Sequence, residues 1–97
     1  MPRPKALSPD QIDAALESLP GWSLVDGKLH RELRFPSFQQ AFAFMAEAAL
    51  HAEKLDHHPE WSNVYGRVVV DLVTHDAGGL TELDLELAKR MSAIADR

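Results

Sequence analysis

Trp22-Ser23-Leu24-Val25-Asp26-Gly27-Lys28-Leu29-His30-Arg31-Glu32-Leu33-Arg34-Phe35 decides the class of fold. Asp-Gly between two extended runs is a strong short-range hairpin signal, because a tight two-residue turn needs residues that tolerate positive φ. The spacing predicts strands at Trp22–Val25 and Lys28–Phe35. On the second, Leu29, Leu33 and Phe35 share one face, with Arg31 an exception there, and His30, Glu32 and Arg34 share the other. A strand of that kind belongs to an antiparallel sheet covered on one side. A second hairpin is predicted from Trp61–Tyr65 and Arg67–His75 around Gly66, with Val68, Val69, Val70, Leu72 and Val73 marking the longer strand as buried.

Helices fill the spaces around the hairpins. Ser8-Pro9-Asp10-Gln11 reads as a capped start, followed by Ile12, Ala15, Leu16 and Leu19 at helical steps and stopped by Pro20-Gly21. Ser37-Phe38-Gln39-Gln40 reads as a second capping box. It opens a long amphipathic helix through Phe38, Ala41, Phe42, Met45, Ala48, Ala49 and Ala52, expected to end near Leu55 or Asp56 ahead of Pro59. Thr81 caps a last helix with Leu87, Ala88, Met91, Ile94 and Ala95 on its apolar stripe. The order is α-β-β-α-β-β-α. It predicts an α+β fold, a four-stranded antiparallel sheet with helices packed on one face.

The chain has 97 residues, enough for one domain over 1–97, with 1–7 expected as a loose tail. Ten lysines and arginines against fifteen aspartates and glutamates leave a net charge of −5, which disfavours phosphate-backbone binding and hence nucleic acid. With no cysteine there is no disulfide, thiolate metal site or cysteine nucleophile. No apolar run approaches a membrane span or a signal core, so a cytoplasmic protein with no membrane association is expected. A core this small, with open sheet edges, invites oligomerisation.

The ionisable groups gather in one place. His57 and His58 follow the long helix, His75 is expected to end the longest strand, and Glu53, Asp56 and Asp76 lie beside them. Imidazole titrates near neutrality, with an ordinary pKa of about 6.5, so two histidines from different elements can serve as acid and base on one substrate. Adjacent histidines fit a surface loop equally well. His-x-His and His-x-x-x-His spacings are lacking, so no metal site is expected. Trp61 suits either the core or a stacking wall for a flat ligand. Asp84 falls on the buried stripe of the last helix, where a carboxylate either caps the helix or orients a polar partner.

Ala52-Glu53-Lys54-Leu55-Asp56-His57-His58-Pro59-Glu60-Trp61, Asn63-Val64-Tyr65, Thr74-His75-Asp76, Gly79-Leu80-Thr81 and Asp84, together with Gly21-Trp22 and Phe42-x-Phe44-Met45, resemble the pterin-4a-carbinolamine dehydratase (4a-hydroxytetrahydrobiopterin dehydratase) family. The resemblance spans most of the chain. It implies dehydration of 4a-hydroxytetrahydrobiopterin to quinonoid dihydropterin in tetrahydrobiopterin recycling, with no cofactor, since the pterin is the substrate. By the same resemblance His57 and His75 are the proton-transfer pair, His58 orients the pterin and assists the leaving hydroxyl, Glu53 borders the site and Asp84 steadies the His75 region. Asp56, Pro59, Trp61, Thr74 and Asp76 contact the pterin. It further implies a homodimer or homotetramer and a link to a pterin-dependent aromatic amino acid hydroxylase. Gly66, Ala77 and Leu83 depart from the family pattern, the first at the hairpin turn. The competing expectation is a non-catalytic dimerisation or interaction module on the same fold.

Overall fold

Helix α1 (Pro9–Glu17) begins with a reciprocal capping box: Gln11 N donates to Ser8 Oγ, and Ser8 N donates to Gln11 Oε1. At α2 (Phe38–Leu55) only half of that device forms, Gln40 N donating to Ser37 Oγ. The full box appears instead at α3 (Glu82–Ala95), where Thr81 accepts from Leu83 N and the carboxylate of Asp84 accepts from Thr81 N. Such caps satisfy amide groups that have no partner inside the helix.

The computed structural model describes residues 4–97. Its strands are β1 (Ser23–Val25), β2 (Lys28–Arg34), β3 (Glu60–Val64) and β4 (Arg67–Leu72), so the element order is α-β-β-α-β-β-α, as expected. All pairings are antiparallel, and the order across the sheet is β1-β2-β4-β3. The two hairpins therefore join through their longer strands, leaving β1 and β3 at the edges. Leu29 pairs with Leu72, Arg31 with Val70 and Leu33 with Val68, so these residues share the face under the helices. Leu29, Leu33, Val68, Val70 and Leu72 pack there against Ala41, Phe44, Ala48 and Ala52 of α2 and Leu87, Ala88 and Met91 of α3. The run of alanines lets α3 lie close along α2. Arg31, the exception on the apolar face, is accommodated by a two-pronged pair with Asp96 and a bond to Ser92, which also accepts from Trp22 Nε1.

Three details differ from the sequence reading. Strand β4 ends at Leu72, not His75: Thr74 bridges to Gly79, and His75–Ala77 form one turn of 3-10 helix. The β-branched run Val73-Thr74 is turned by a bond from Thr74 to a distant side chain, described below. Gly66 does more than shape a turn. A Cβ there would lie 2.2 Å from the carbonyl oxygen of Phe35, because Phe35 N donates to Gly66 O and extends the β2–β4 ladder. The tail expected over residues 1–7 falls outside the described residues at 1–3, and by Leu7 the chain is fastened, its amide donating to Leu80 O. Among the described residues no helix is long and apolar enough to cross a membrane.

Candidate active site

Helix α2 ends where Asp56 adopts the left-handed conformation (φ 50°, ψ 44°), which aspartate tolerates better than most residues. His57 N then donates back to Ala52 O, closing the helix end. From this bend the extended chain sends successive side chains to opposite sides. His57 turns inward and is buried, with Nε2 2.5 Å from Asp84 Oδ1. His58 turns outward, with Nε2 2.7 Å from Glu53 Oε1, one turn back on α2.

The other wall comes from the segment after β4. Thr74 is buried and donates from Oγ1 to Asp84 Oδ2 at 2.8 Å; Thr81 Oγ1 lies 2.8 Å from Thr74 Oγ1. With Thr74 donating to the carboxylate, the Thr81 hydroxyl donates to Thr74. Asp84, fully buried, thus accepts from His57 Nε2, Thr74 Oγ1 and Thr81 N. Both alternatives open for Asp84 in the sequence are realised at once: it caps α3 and orients polar partners. No buried side-chain nitrogen or oxygen among the described residues lacks a partner. Thr74 holds the turn, and His75 projects from its first position with its side chain 73% exposed.

Between the two walls lies an open cavity of about 200 Å³, lined by Asp56, His57, His58, Val73, Thr74, His75 and Asp76. Asp56, His57, His58, Thr74, His75 and Asp76 are thus brought together as sequence reading grouped them. Glu53 and Asp84 stand behind the lining, each on a histidine. Pro59 and Trp61 are not part of the lining; Trp61 is half-buried on the helix-facing side of β3, opposite Val70. The structure buries His57 and leaves His58 and His75 open to solvent.

Sequence reading assigned no site role to two neighbours. Thr81, read only as a cap, completes the polar cluster under the cavity. Glu60 stands 3.6 Å from His75 Nε2 and 2.9 Å from Lys28 Nζ. Its carboxyl is held below the usual glutamate range, first by the hydrogen bond from Lys28 and further by the charges of Lys28 and His75. The position after Pro59 offers no local signal for this, because the face Glu60 takes follows from strand register. Each of the three histidines is therefore matched with a carboxylate, at 2.5, 2.7 and 3.6 Å. A carboxylate beside one ring nitrogen fixes the imidazole's orientation. Among the described residues no three histidine or acid side chains converge as metal ligands would. The arrangement can give a proton and take one at a small flat ligand.

Residues 5–94 match the family model described as pterin 4 alpha carbinolamine dehydratase. A protein of Solibacter usitatus is 53% identical over 89 residues, with 92% of this chain and 94% of that one covered. A protein of Brucella ovis is 53% identical over 91 residues, with the same coverage. Both carry the name "Putative pterin-4-alpha-carbinolamine dehydratase". The crystal structure of a Brucella melitensis protein described as transcriptional coactivator/pterin dehydratase superposes with a TM-score of 0.91 at 52% identity, covering 94% of this chain and 99% of the other.

Proposed function

Because the chain belongs to the pterin 4 alpha carbinolamine dehydratase family, whose members are hydro-lyases, we propose that it dehydrates 4a-hydroxytetrahydrobiopterin by histidine acid and base catalysis. The observation that carries this reading is the set of three carboxylate-backed imidazoles, from two separate segments, around one cavity. In the reaction the C4a–O bond breaks and the hydroxyl leaves as water, taking a proton from an acid. The N5–H proton passes to a base, and the N–H electron pair forms the C4a=N5 bond of the quinonoid dihydropterin. One acid and one base suffice.

His57 and His75 stand on opposite walls and serve as the proton-transfer pair. His58 orients the pterin and assists the departing hydroxyl. Thr74 and Asp76 flank His75 at the pterin's polar edge and Asp56 borders the ring, while Pro59 and Trp61 stand outside the lining. Glu53 and Asp84 hold His58 and His57. The chain's own side chains carry the chemistry, with no further cofactor. The product feeds a reductive recycling step in the cytoplasm, downstream of a pterin-dependent aromatic hydroxylase. Exposed Phe38, Phe42 and Leu50 on α2 and the open edges at β1 and β3 support assembly as a homodimer or homotetramer. A second reading, an interaction role alongside catalysis, draws on the coactivator description of the Brucella melitensis protein.

The test is a coupled assay in which a pterin-dependent hydroxylase generates the carbinolamine and its ultraviolet decay is followed. The protein should accelerate decay over the spontaneous rate. His58→Ala and His75→Ala are the clean variants, since both side chains are exposed and carry no core packing. Each should lower turnover about 100-fold while the protein stays folded. Wild-type rates in both variants would remove the histidine mechanism, and no acceleration by the folded protein would favour the interaction module.

A further inference from the structure

The histidines on the cavity differ in how their carboxylates are themselves held. Asp84 is fixed by the cap of α3, and Glu53 lies on the same helix end as His58. Glu60 comes from an edge strand. Register places it directly across from Asp71, on the sheet face away from the helices. Two like charges so placed repel, and each is met by a side chain from β2: His30 Nδ1 lies 2.9 Å from Asp71 Oδ1, and Lys28 Nζ lies 2.9 Å from Glu60 Oε1. Lys28 is two strands away from Glu60, so its long side chain crosses β4 to reach it. The same oxygen, Glu60 Oε1, faces His75 Nε2 at 3.6 Å.

We propose that Glu60 is the positioning residue for His75, with Lys28 as its anchor, so that a Lys28–Glu60–His75 chain runs from the open sheet face to the rim of the cavity. This rests on the reading of His75 as a proton-transfer group. His75 sits on a short turn, projects into solvent and has no core packing to select its rotamer. The carboxylate facing Nε2 orients the ring, so that Nδ1 turns toward the proton it exchanges with the pterin. Lys28 keeps Glu60 ionised and extended along the strand; without it, repulsion from Asp71 would swing the carboxylate away from His75.

The experiment is steady-state kinetics in the coupled assay on Glu60→Gln, Glu60→Asp, Lys28→Gln, His75→Ala and the His75→Ala/Glu60→Gln double variant. Positioning predicts a fall in kcat of about tenfold in Glu60→Gln, with KM within about twofold. Glu60→Asp should recover part of the loss and Lys28→Gln should show a smaller one. The double variant should be no slower than His75→Ala alone, because a residue acting only through His75 has nothing left to position. Additive losses in the double variant, an unchanged kcat in Glu60→Gln, or a loss confined to KM would each overturn the proposal while leaving the dehydratase reading in place. A fully active His75→Ala would overturn both the proposal and the reading of His75 as a proton-transfer group.

Discussion

Replacing Asp84 tests whether one carboxylate organises both walls of the cavity. Asp84→Ala removes the acceptor for His57 Nε2, Thr74 Oγ1 and Thr81 N, all buried. Losing the helix cap costs about 1 kcal/mol. Stripping one partner from a buried imidazole–carboxylate pair costs about 3–5 kcal/mol. The two overlap, since relaxation that rescues one donor rescues others, so the expected total is about 3–5 kcal/mol. A domain of this length has about 5–15 kcal/mol in all, and the loss corresponds to a fall in Tm of roughly 15–30 °C. Asp84→Asn behaves differently. Its remaining oxygen can still accept from Thr74 and Thr81, and its amide can donate to His57 Nε2 in the other imidazole tautomer. The expected loss is about 1–2 kcal/mol. Urea unfolding followed by the fluorescence of Trp22 and Trp61, at one fixed protomer concentration, measures both. A loss under about 1 kcal/mol for alanine would refute the reasoning. Equal losses for alanine and asparagine would show that charge, not hydrogen bonding, holds the cluster.

The remaining predictions concern other parts of the chain. Gly66→Ala should destabilise by about 1–3 kcal/mol, because its Cβ would meet the Phe35 carbonyl, whereas Gly79→Ala, whose Cβ would meet only Ala6 Cβ at an ordinary 3.9 Å, should leave Tm nearly unchanged; thermal melts of the two compare them directly. Arg67 holds the Glu32 carboxyl below its ordinary value of 4.5, and Arg34 and His30 add to it. A group with a lowered folded-state pKa contributes stability that is present above the unfolded value and lost as pH falls through the folded one. Arg67→Met should therefore show a shallower decline of Tm below about pH 4.5 than wild type, and a parallel decline would contradict the pairing. Turnover should follow a bell-shaped pH profile centred near neutrality, as expected of an imidazole acid and an imidazole base, and a flat profile between about pH 5 and 9 with chemistry rate-limiting would argue against two histidines.

The fold was legible where local chemistry is decisive. Asp26-Gly27 and Gly66 mark the two hairpin turns, and Ser8, Ser37 and Thr81 mark helix starts. Asp56, Thr74 and His75 fall where the elements end, so the grouping of the lining side chains could be read from the chain. The end of β4 could not. Val73-Thr74 continues the β-branched pattern, and what turns it is the bond from Thr74 to Asp84, ten residues on. Glu60 was invisible for a related reason: its face and its partners Lys28 and His75 depend on which strands neighbour each other. Burial of His57 against exposure of His58 also needed the structure, since two adjacent histidines look alike until the chain bends at Asp56.

The double duty of Asp84 changes what can be learned from relatives of this chain. A descendant that had lost catalysis and kept only the scaffold would still need Asp84, and with it His57, to close α3 onto the sheet. Those two positions therefore report on folding and are poor witnesses to activity. His58 and His75 stand in solvent and support nothing else in the molecule. Drift at those two, with Asp84 intact, is the mark by which a silent copy of the enzyme would be told from a working one.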